Sequence, residues 1–287
     1  MNKLNIGSNS FVGDGWLNLD HPSQRYGGEQ KRVDILLDLS GGHPFPLEDE
    51  SLCAAYTSHT IEHLSDIDVE TTFYEVYRTL EEGGVFRVTC PDIRKCYDAY
   101  ISSDDDYIGG WLANPQGRPL FKSMGLGEQL LFIIASNLSP FSKRNEDLKR
   151  LTNGINVYTE EEISYIFESK NREEALTYFT EECQRVAGHL QKSAPGNHIS
   201  WWDFEKIKNL MEDVGFLDVK KQEFNESDYE VFLDFDEKNK DSVVQKPYTV
   251  FTPFKNQGFK VDVSYPRKLK RIYSSGGNSE LINYLST

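Results

Sequence analysis

Along the first ninety positions, apolar residues come in short runs broken by polar and glycine-rich turns. Leu4–Ile6, Trp16–Asp20 (WLNLD), Val33–Leu37 (VDILL), Leu52–Thr57 (LCAAYT) and Val85–Cys90 (VFRVTC) each have the length and composition of a strand. The last stops at Pro91. Between the fourth and fifth, Val69, Phe73, Val76 and Leu80 return at three- and four-residue steps, which predicts a helix over 66–82 with one apolar face. Gly83-Gly84 then offers a left-handed stop. Strand, helix, strand is a βαβ unit, and its parallel strands need a sheet covered on both faces.

From about 93 to 200 the pattern changes. Charges are dense, with an acidic run at Asp104-Asp105-Asp106 and a loop signal at 114–119, and helical periodicity appears near 127–138 and 160–185. This stretch is expected to be a mostly helical insertion or cap. An amphipathic helix follows at Asp203–Val214, ending at Gly215, and strands are expected at 216–224 (FLDVKKQEF) and 248–254 (YTVFTPF). The predicted organisation is a core over 1–95, a helical insertion over 96–197, a return to the core over 198–256, and a tail over 257–287. Lys260, Arg267, Lys268, Lys270 and Arg271 make the tail locally basic, a solvated counterweight to an acidic body.

Composition narrows the partners. A chain of 287 residues with 13% aromatics folds, since disordered acidic chains have few. Its formal charge of −15 argues against a phosphate backbone, whose binders are rich in Lys and Arg. Cys53, Cys90, Cys96 and Cys183 form no CxxC pair, so neither a thiolate metal site nor a redox motif is signalled. The start lacks a basic head and apolar stretch, and the longest apolar run, near 130–135, falls short of the ~20 residues of a membrane helix. The expectation is a cytoplasmic protein with a small-molecule substrate and no nucleic-acid or membrane partner.

In open α/β sheets, ligands bind outside the carboxyl ends of the strands, where strand order reverses. Each strand end here carries a useful group. The first ends in Gly7-Ser8-Asn9, where a missing side chain would let a ligand approach backbone N–H groups. The second ends in Asp20, an acceptor pair suited to two ribose hydroxyls, and the third in Asp38-Leu39, a carboxylate beside an apolar surface for a base. The fourth ends in Ser58-His59 and the fifth in Pro91-Asp92. Any one of these has an ordinary structural explanation as a turn or a cap. It is their sequence along one sheet edge that points to a ligand.

The stretches LNIGSN (4–9), GWLNLD (15–20), DILLDL (34–39), YTSHTIEHL (56–64) and EVYRTLEEGGVFRVTCPD (75–92) resemble class I S-adenosylmethionine-dependent methyltransferases, in particular small bacterial ones with a shortened first loop. HISWWDFEKIKNLMEDVGFLDV (198–219) is similar to the final helix and following strand of that family. The resemblance implies a Rossmann-like, mostly parallel seven-strand sheet binding S-adenosylmethionine. It implies Gly7, Ser8 and Asn9 beside the methionine part, Asp20 at the ribose, Asp38 and Leu39 at the adenine, and Ser58 where the fourth strand opens. Two departures stand out. Asn9 occupies a place often held by glycine, and only residues 7–15 separate the first two strands, where a parallel crossover normally takes a dozen or more. Either the first helix is lost or the strand ends lie elsewhere. A lid formed by the insertion would compensate for a short loop.

His59-Thr60-Ile61-Glu62-His63 is the sharpest remaining motif. On a helix, His59, Glu62 and His63 would share a face. Three explanations stay open: ordinary helix-start hydrogen bonding; a divalent metal on His59, Glu62 and His63, with His198 as a further ligand, softer than an all-oxygen Mg²⁺ site; and the H-x-x-E-H signature of a zinc peptidase. Methyl transfer needs alignment and, for some acceptors, a base. His59 is the candidate base, followed by His63 and His198. Asp92, Trp111 and Trp201 are candidate acceptor contacts, with Trp202 beside them. The expected activity is O- or N-methylation of a small molecule or biosynthetic intermediate. The alternatives are a non-catalytic methyltransferase-like scaffold and, after it, a zinc hydrolase.

Overall fold

The computed structural model describes residues 2–8, 15–22, 33–110, 118–144, 154–192, 195–222, 227–232, 248–251 and 254–255. Asn9, Trp111 and the tail over 257–287 lie outside the described residues.

Five parallel strands form the body of the sheet: β1 (Asn2–Ile6), β2 (Trp16–Asp20), β3 (Ile35–Leu36), β4 (Leu52–Ser58) and β5 (Leu80–Pro91), in the spatial order β3-β2-β1-β4-β5. The chain steps outward from β1 to β3, then returns to β4 on the other side of β1. That reversal makes the carboxyl ends of β1 and β4 the switch point of the sheet. Four further segments complete it: β6 (Phe216–Leu217), β7 (Lys221–Gln222), β8 (Tyr248–Phe251) and β9 (Phe254–Lys255). Both β8 and β9 run antiparallel to β5, with β7 beyond β8 and β6 beyond β9.

Both faces of the sheet are covered. On one face α1 (Asp66–Thr79) places Phe73, Val76 and Tyr77 against Leu4, Ile6 and Phe86. Phe73 and Phe86 meet edge to face at 5.2 Å. The other face carries Trp16, Ala54, Tyr56 and Val85 under Phe232. There Arg87, fully buried, sets its guanidinium 4.9 Å from the Phe232 ring.

Residues 93–192 hold seven α-helices among the described residues: α2 (Ile93–Ile101), α3 (Asp105–Gly109), α4 (Arg118–Lys122), α5 (Leu126–Ile134), α6 (Pro140–Arg144), α7 (Glu160–Ser169) and α8 (Arg172–Ala187). They have a core of their own around Leu130, Leu131, Ile134, Phe167, Phe179 and Trp201. The last helix, α9 (Phe204–Val214), returns to the sheet, with Ile207, Met211 and Val214 in the same core as α1. Its N-cap Asp203 accepts from Lys206 N and also pairs with Arg172 of α8 at 3.4 Å, tying the helical layer to the sheet layer. No helix among the described residues is long and apolar enough to cross a membrane.

Several expected elements are revised. The helix over 66–82 ends at Thr79, and Leu80 opens β5 by pairing with Leu52. The leucine side chain is fully buried, so core packing wins over helix extension at this position. Gly83 (φ 80°) turns the chain between the Leu52–Leu80 pair and the renewed pairing of Ala54 with Val85; it serves a strand irregularity, not a helix stop. The strand over 33–37 keeps two residues, and the strand over 216–224 breaks at Asp218, which takes φ 61°. The periodicity over 160–185 belongs to two helices. Asn171 starts the second with a reciprocal capping box to Glu174. The first two strands, in contrast, end and begin at Ile6 and Trp16, so the connection between them is the short one, 7–15.

Candidate functional site

The carboxyl ends of β1, β2, β3 and β4 open onto one cleft. Its walls include Gly7, Asp20, Leu37, Asp38, Leu39 and His59. His21, Ser40, Thr60, His63, Leu64, Gln191 and Pro195 complete it. The cleft therefore has a carboxylate at the end of each of two neighbouring strands, apolar Leu37, Leu39 and Leu64, and the imidazoles of His21, His59 and His63, His21 lying 3.8 Å from Asp38.

Gly7 lies at the end of β1 with φ 67°, a conformation that a side chain makes costly, and a Cβ there would run into the Thr60 hydroxyl. The expectation that its N–H is offered to a ligand is corrected: Gly7 N and Ser8 N both donate to Leu19 O, at 2.9 and 3.2 Å. Glycine is needed here for backbone conformation and for the close approach of Thr60. Ser8 is buried and outside the cleft wall, as is the partly exposed Ser58.

Asp20 ends β2, and one of its carboxylate oxygens accepts from His21 N at 2.7 Å. Asp38 caps a single helical turn over Leu39–Gly41, accepting from Ser40 N at 2.9 Å and from Ser40 Oγ through the same oxygen, Oδ1. The cap fixes the direction in which the loop leaves β3 and keeps Leu39 beside the carboxylate.

The segment after β4 is not the helix that the His-Glu-His spacing suggested. His59 takes φ 53°, and only Ile61–His63 form a helical turn, of the 3₁₀ type. The side chains of 59, 62 and 63 consequently do not share an α-helical face, which removes the structural context of an H-x-x-E-H peptidase. His59 Nδ1 instead lies 3.0 Å from Glu62 Oε1. Glu62 is 2% exposed, and its second oxygen, Oε2, has no hydrogen-bond partner among the described residues. Burial on its own raises this carboxyl, but the hydrogen bond to His59 and the charges of His59, His63 and His198 bring it down to about 2.

The third imidazole comes from far along the chain. His198 packs edge to face on His63, with ring centroids 4.8 Å apart. Its Nδ1 lies 2.6 Å from Ile133 O, while His63 Nδ1 lies 3.2 Å from Asn197 O. Burial and the neighbouring His63 lower His198 to about 4, against the opposing pull of Glu62 and of the Ile133 bond, so the ring is neutral at pH 7. The segment 197–202 is held against the 61–63 turn by Ile199 N to Glu62 O, Ser200 Oγ to Ile61 O and Trp202 Nε1 to Ile61 O. Gln191 adds a clamp, donating to both His63 O and Asn197 O.

The remaining candidates lie apart from the cleft wall. Asp92 caps α2 and pairs with Lys221 at 3.2 Å, linking β5 to β7. Trp201 is buried in the helical core and donates to Thr177 Oγ1, and Trp202 belongs to the sheet core. Gln191 and Pro195 carried no sequence signal, because they reach the cleft only through the packing of the helical layer. His21 and Thr60 could have been found as the neighbours of Asp20 and His59.

No protein-family model and no curated protein matches the chain. Solved structures do. An S-adenosylmethionine-dependent methyltransferase of Thermotoga maritima, described as a possible histamine N-methyltransferase, is 14% identical with a TM-score of 0.39, over 89% of this chain and 82% of its own. A methyltransferase of Archaeoglobus fulgidus is 13% identical with a TM-score of 0.40, over 88% and 86%. Phosphoethanolamine N-methyltransferase 2 of Haemonchus contortus, in complex with S-adenosyl-L-methionine, is 12% identical with a TM-score of 0.37, and this chain spans 49% of its length. The sheet order, five parallel strands in the order β3-β2-β1-β4-β5 followed by an antiparallel strand, is that of the Rossmann-like class I methyltransferase fold.

Proposed function

We propose that this protein is an S-adenosylmethionine-dependent methyltransferase that acts on an oxygen or nitrogen of a small-molecule acceptor. The observation that carries the proposal is the pairing, in one cleft at the switch point, of Asp20 after β2 with Asp38 and Leu39 after β3. The donor set fits the cofactor: one carboxylate for vicinal ribose hydroxyls, and a second beside an apolar surface for the amine and face of adenine. When bound, S-adenosylmethionine supplies a methyl group already activated on a sulfonium. The protein then has to hold the acceptor in line and take up a proton where the acceptor loses one.

His59 suits the second task. In the neutral ring, Nδ1–H donates to the ionised Glu62, which leaves Nε2 as the basic nitrogen. Glu62 thus orients the ring. Gln191 and Pro195 bring the helical layer to the rim of the same cleft, which supports acceptor choice lying partly in that layer.

Calorimetric titration with S-adenosylmethionine and S-adenosylhomocysteine tests the proposal. Micromolar binding that weakens at least about tenfold in Asp20→Asn and in Asp38→Asn is the expected result, about 1.4 kcal/mol for each lost charge-assisted contact. No binding of either compound by the folded protein overturns it. Binding with no methyl transfer to any acceptor in a broad small-molecule panel would favour the scaffold instead.

A further inference from the structure

Glu62, His63 and His198 each offer one ligand atom, and these atoms lie within 4.8 Å of one another. Three observations single the cluster out from an ordinary polar contact. Glu62 Oε1 is engaged by His59, whereas Oε2 is buried with no hydrogen-bond partner among the described residues. A carboxylate oxygen so placed is costly to bury unless something fills its coordination.

The two imidazoles are also set in one tautomer. A backbone carbonyl only accepts, so Nδ1 of His63 donates to Asn197 O and Nδ1 of His198 donates to Ile133 O. In the neutral ring that leaves Nε2 of each without its proton. Donation of the distal N–H to a carbonyl is the arrangement that orients metal-binding histidines and raises their basicity. The clamps from Gln191 and from Ile199, Ser200 and Trp202 hold the two contributing segments, 134 residues apart at His63 and Asn197, in fixed relation.

We propose that Glu62, His63 and His198 form a binding site for a borderline divalent cation of the Zn²⁺ class. Two imidazoles and one carboxylate suit Zn²⁺, and an all-oxygen shell would be needed for Mg²⁺. This ligand set differs from the trio His59, Glu62 and His63 that spacing alone suggested, because the left-handed turn at His59 directs that ring to Glu62 and the return of 197–202 brings His198 in its place. In a tetrahedral site with ligands at about 2.1 Å, ligand atoms are roughly 3.4 Å apart. Metal uptake therefore draws the widest pair inward. Three protein ligands leave a fourth position for water or another small ligand, and His63 is itself part of the cleft wall. The site uses none of the cofactor contacts Asp20, Asp38 and Leu39, and Glu62 would serve it through Oε2 while Oε1 holds His59.

The test uses the full chain stripped with a chelator, exchanged into chelator-free buffer, and titrated with Zn²⁺ by calorimetry, with Co²⁺ absorption recorded in parallel. The expected result is one equivalent of Zn²⁺ bound in the micromolar range or tighter and an intense visible Co²⁺ spectrum of a four-coordinate ion without a thiolate charge-transfer band. Glu62→Gln and His198→Asn, each checked for native circular dichroism, should weaken Zn²⁺ at least about tenfold. Absence of stoichiometric uptake by the folded wild-type chain, a Co²⁺ spectrum like that of the aqueous ion, or uptake unchanged in both folded variants overturns the proposal. The cobalt spectrum of the wild-type chain decides the matter even where a variant fails to fold.

Discussion

His59 and Glu62 form a hydrogen-bonded pair, Nδ1 to Oε1 at 3.0 Å, in which the imidazole is a third exposed to the cleft and the carboxylate is 3% exposed. The left-handed backbone at His59 makes the pair possible, because it turns the residue back over the short helical turn that carries Glu62. A buried carboxylate behind a cleft histidine fixes the orientation and tautomer of the ring.

For methyl transfer to an acceptor that loses a proton, His59→Ala is expected to lower kcat by about 10²-fold or more while leaving the Kd for S-adenosylhomocysteine within about threefold. Glu62→Gln is expected to lower kcat less, since an amide oxygen can still accept from Nδ1 and hold the ring. Release of S-adenosylhomocysteine against pH, with any acceptor the enzyme turns over, checks both. Equal losses in kcat and cofactor binding would place His59 in binding and not in proton transfer.

The buried cluster makes stability depend on pH in the metal-free protein. His198 is lowered in the fold, from 6.5 to about 4, so the native state favours its neutral form. That contribution is complete above about pH 6.5 and is lost as the pH falls from 6.5 towards 4. Glu62 is lowered from 4.5 to about 2, so its contribution is complete above about pH 4.5 and is lost towards 2. Denaturant unfolding in chelator should show stability falling from pH 7 to 4.5. The fall should be shallower in His198→Asn, which keeps a donor for Ile133 O but has no proton to gain.

How much of this was legible beforehand depends on the range of the interaction. The strand ends at Ile6, Trp16 and Asp20 follow from local alternation and were found in place. So was α9, whose Asp203 cap and Gly215 stop are local signals. Where the outcome rests on distant partners, local signals fail. Leu80 leaves its helix to pair with Leu52 on the neighbouring strand β4, and the glycine pair that resembled a helix stop serves the strand. The motif groups Glu62 and His63 with His59 and takes His198 as a further ligand; that His198, and not His59, joins Glu62 and His63 follows from the return of the chain after α8, which no spacing encodes. Gly7 was singled out for the right position and the wrong reason. Its N–H is used by Leu19, and its lack of a side chain accommodates Thr60.

That reason can be checked directly. Gly7→Ala puts a Cβ on a residue at φ 67° and drives it into the Thr60 side chain. A loss of about 1–3 kcal/mol is expected from the backbone conformation and the collision together. Thr60→Ala in the same background should recover part of it, since Oγ1 and Cγ2 account for the two nearest contacts. Denaturant midpoints of the two single variants and the double variant measure the coupling. Full additivity would mean that backbone strain alone sets the cost.

Arg78 governs the far end of the loop that begins at Asp38. Its guanidinium donates to Glu75 Oε2 at 2.7 Å, to Leu47 O at 2.9 Å and to Phe45 O at 3.2 Å, and it pairs with Asp49. Glu75 Oε2 also accepts from Phe45 N at 2.7 Å. One arginine therefore neutralises a buried carboxylate on α1 and ties down the loop leading into β4. Arg78→Ala leaves Glu75, 2% exposed, without its cation, and is expected to cost about 3–5 kcal/mol. Glu75→Gln should cost less, because a neutral amide oxygen still accepts from Phe45 N. In the double variant Arg78→Ala with Glu75→Gln, no buried charge is left unpaired, so the loss should be smaller than the sum of the singles by about 1–3 kcal/mol. Unfolding free energies for the four proteins close the cycle. A coupling near zero would show that the guanidinium acts through its loop carbonyls and not through Glu75.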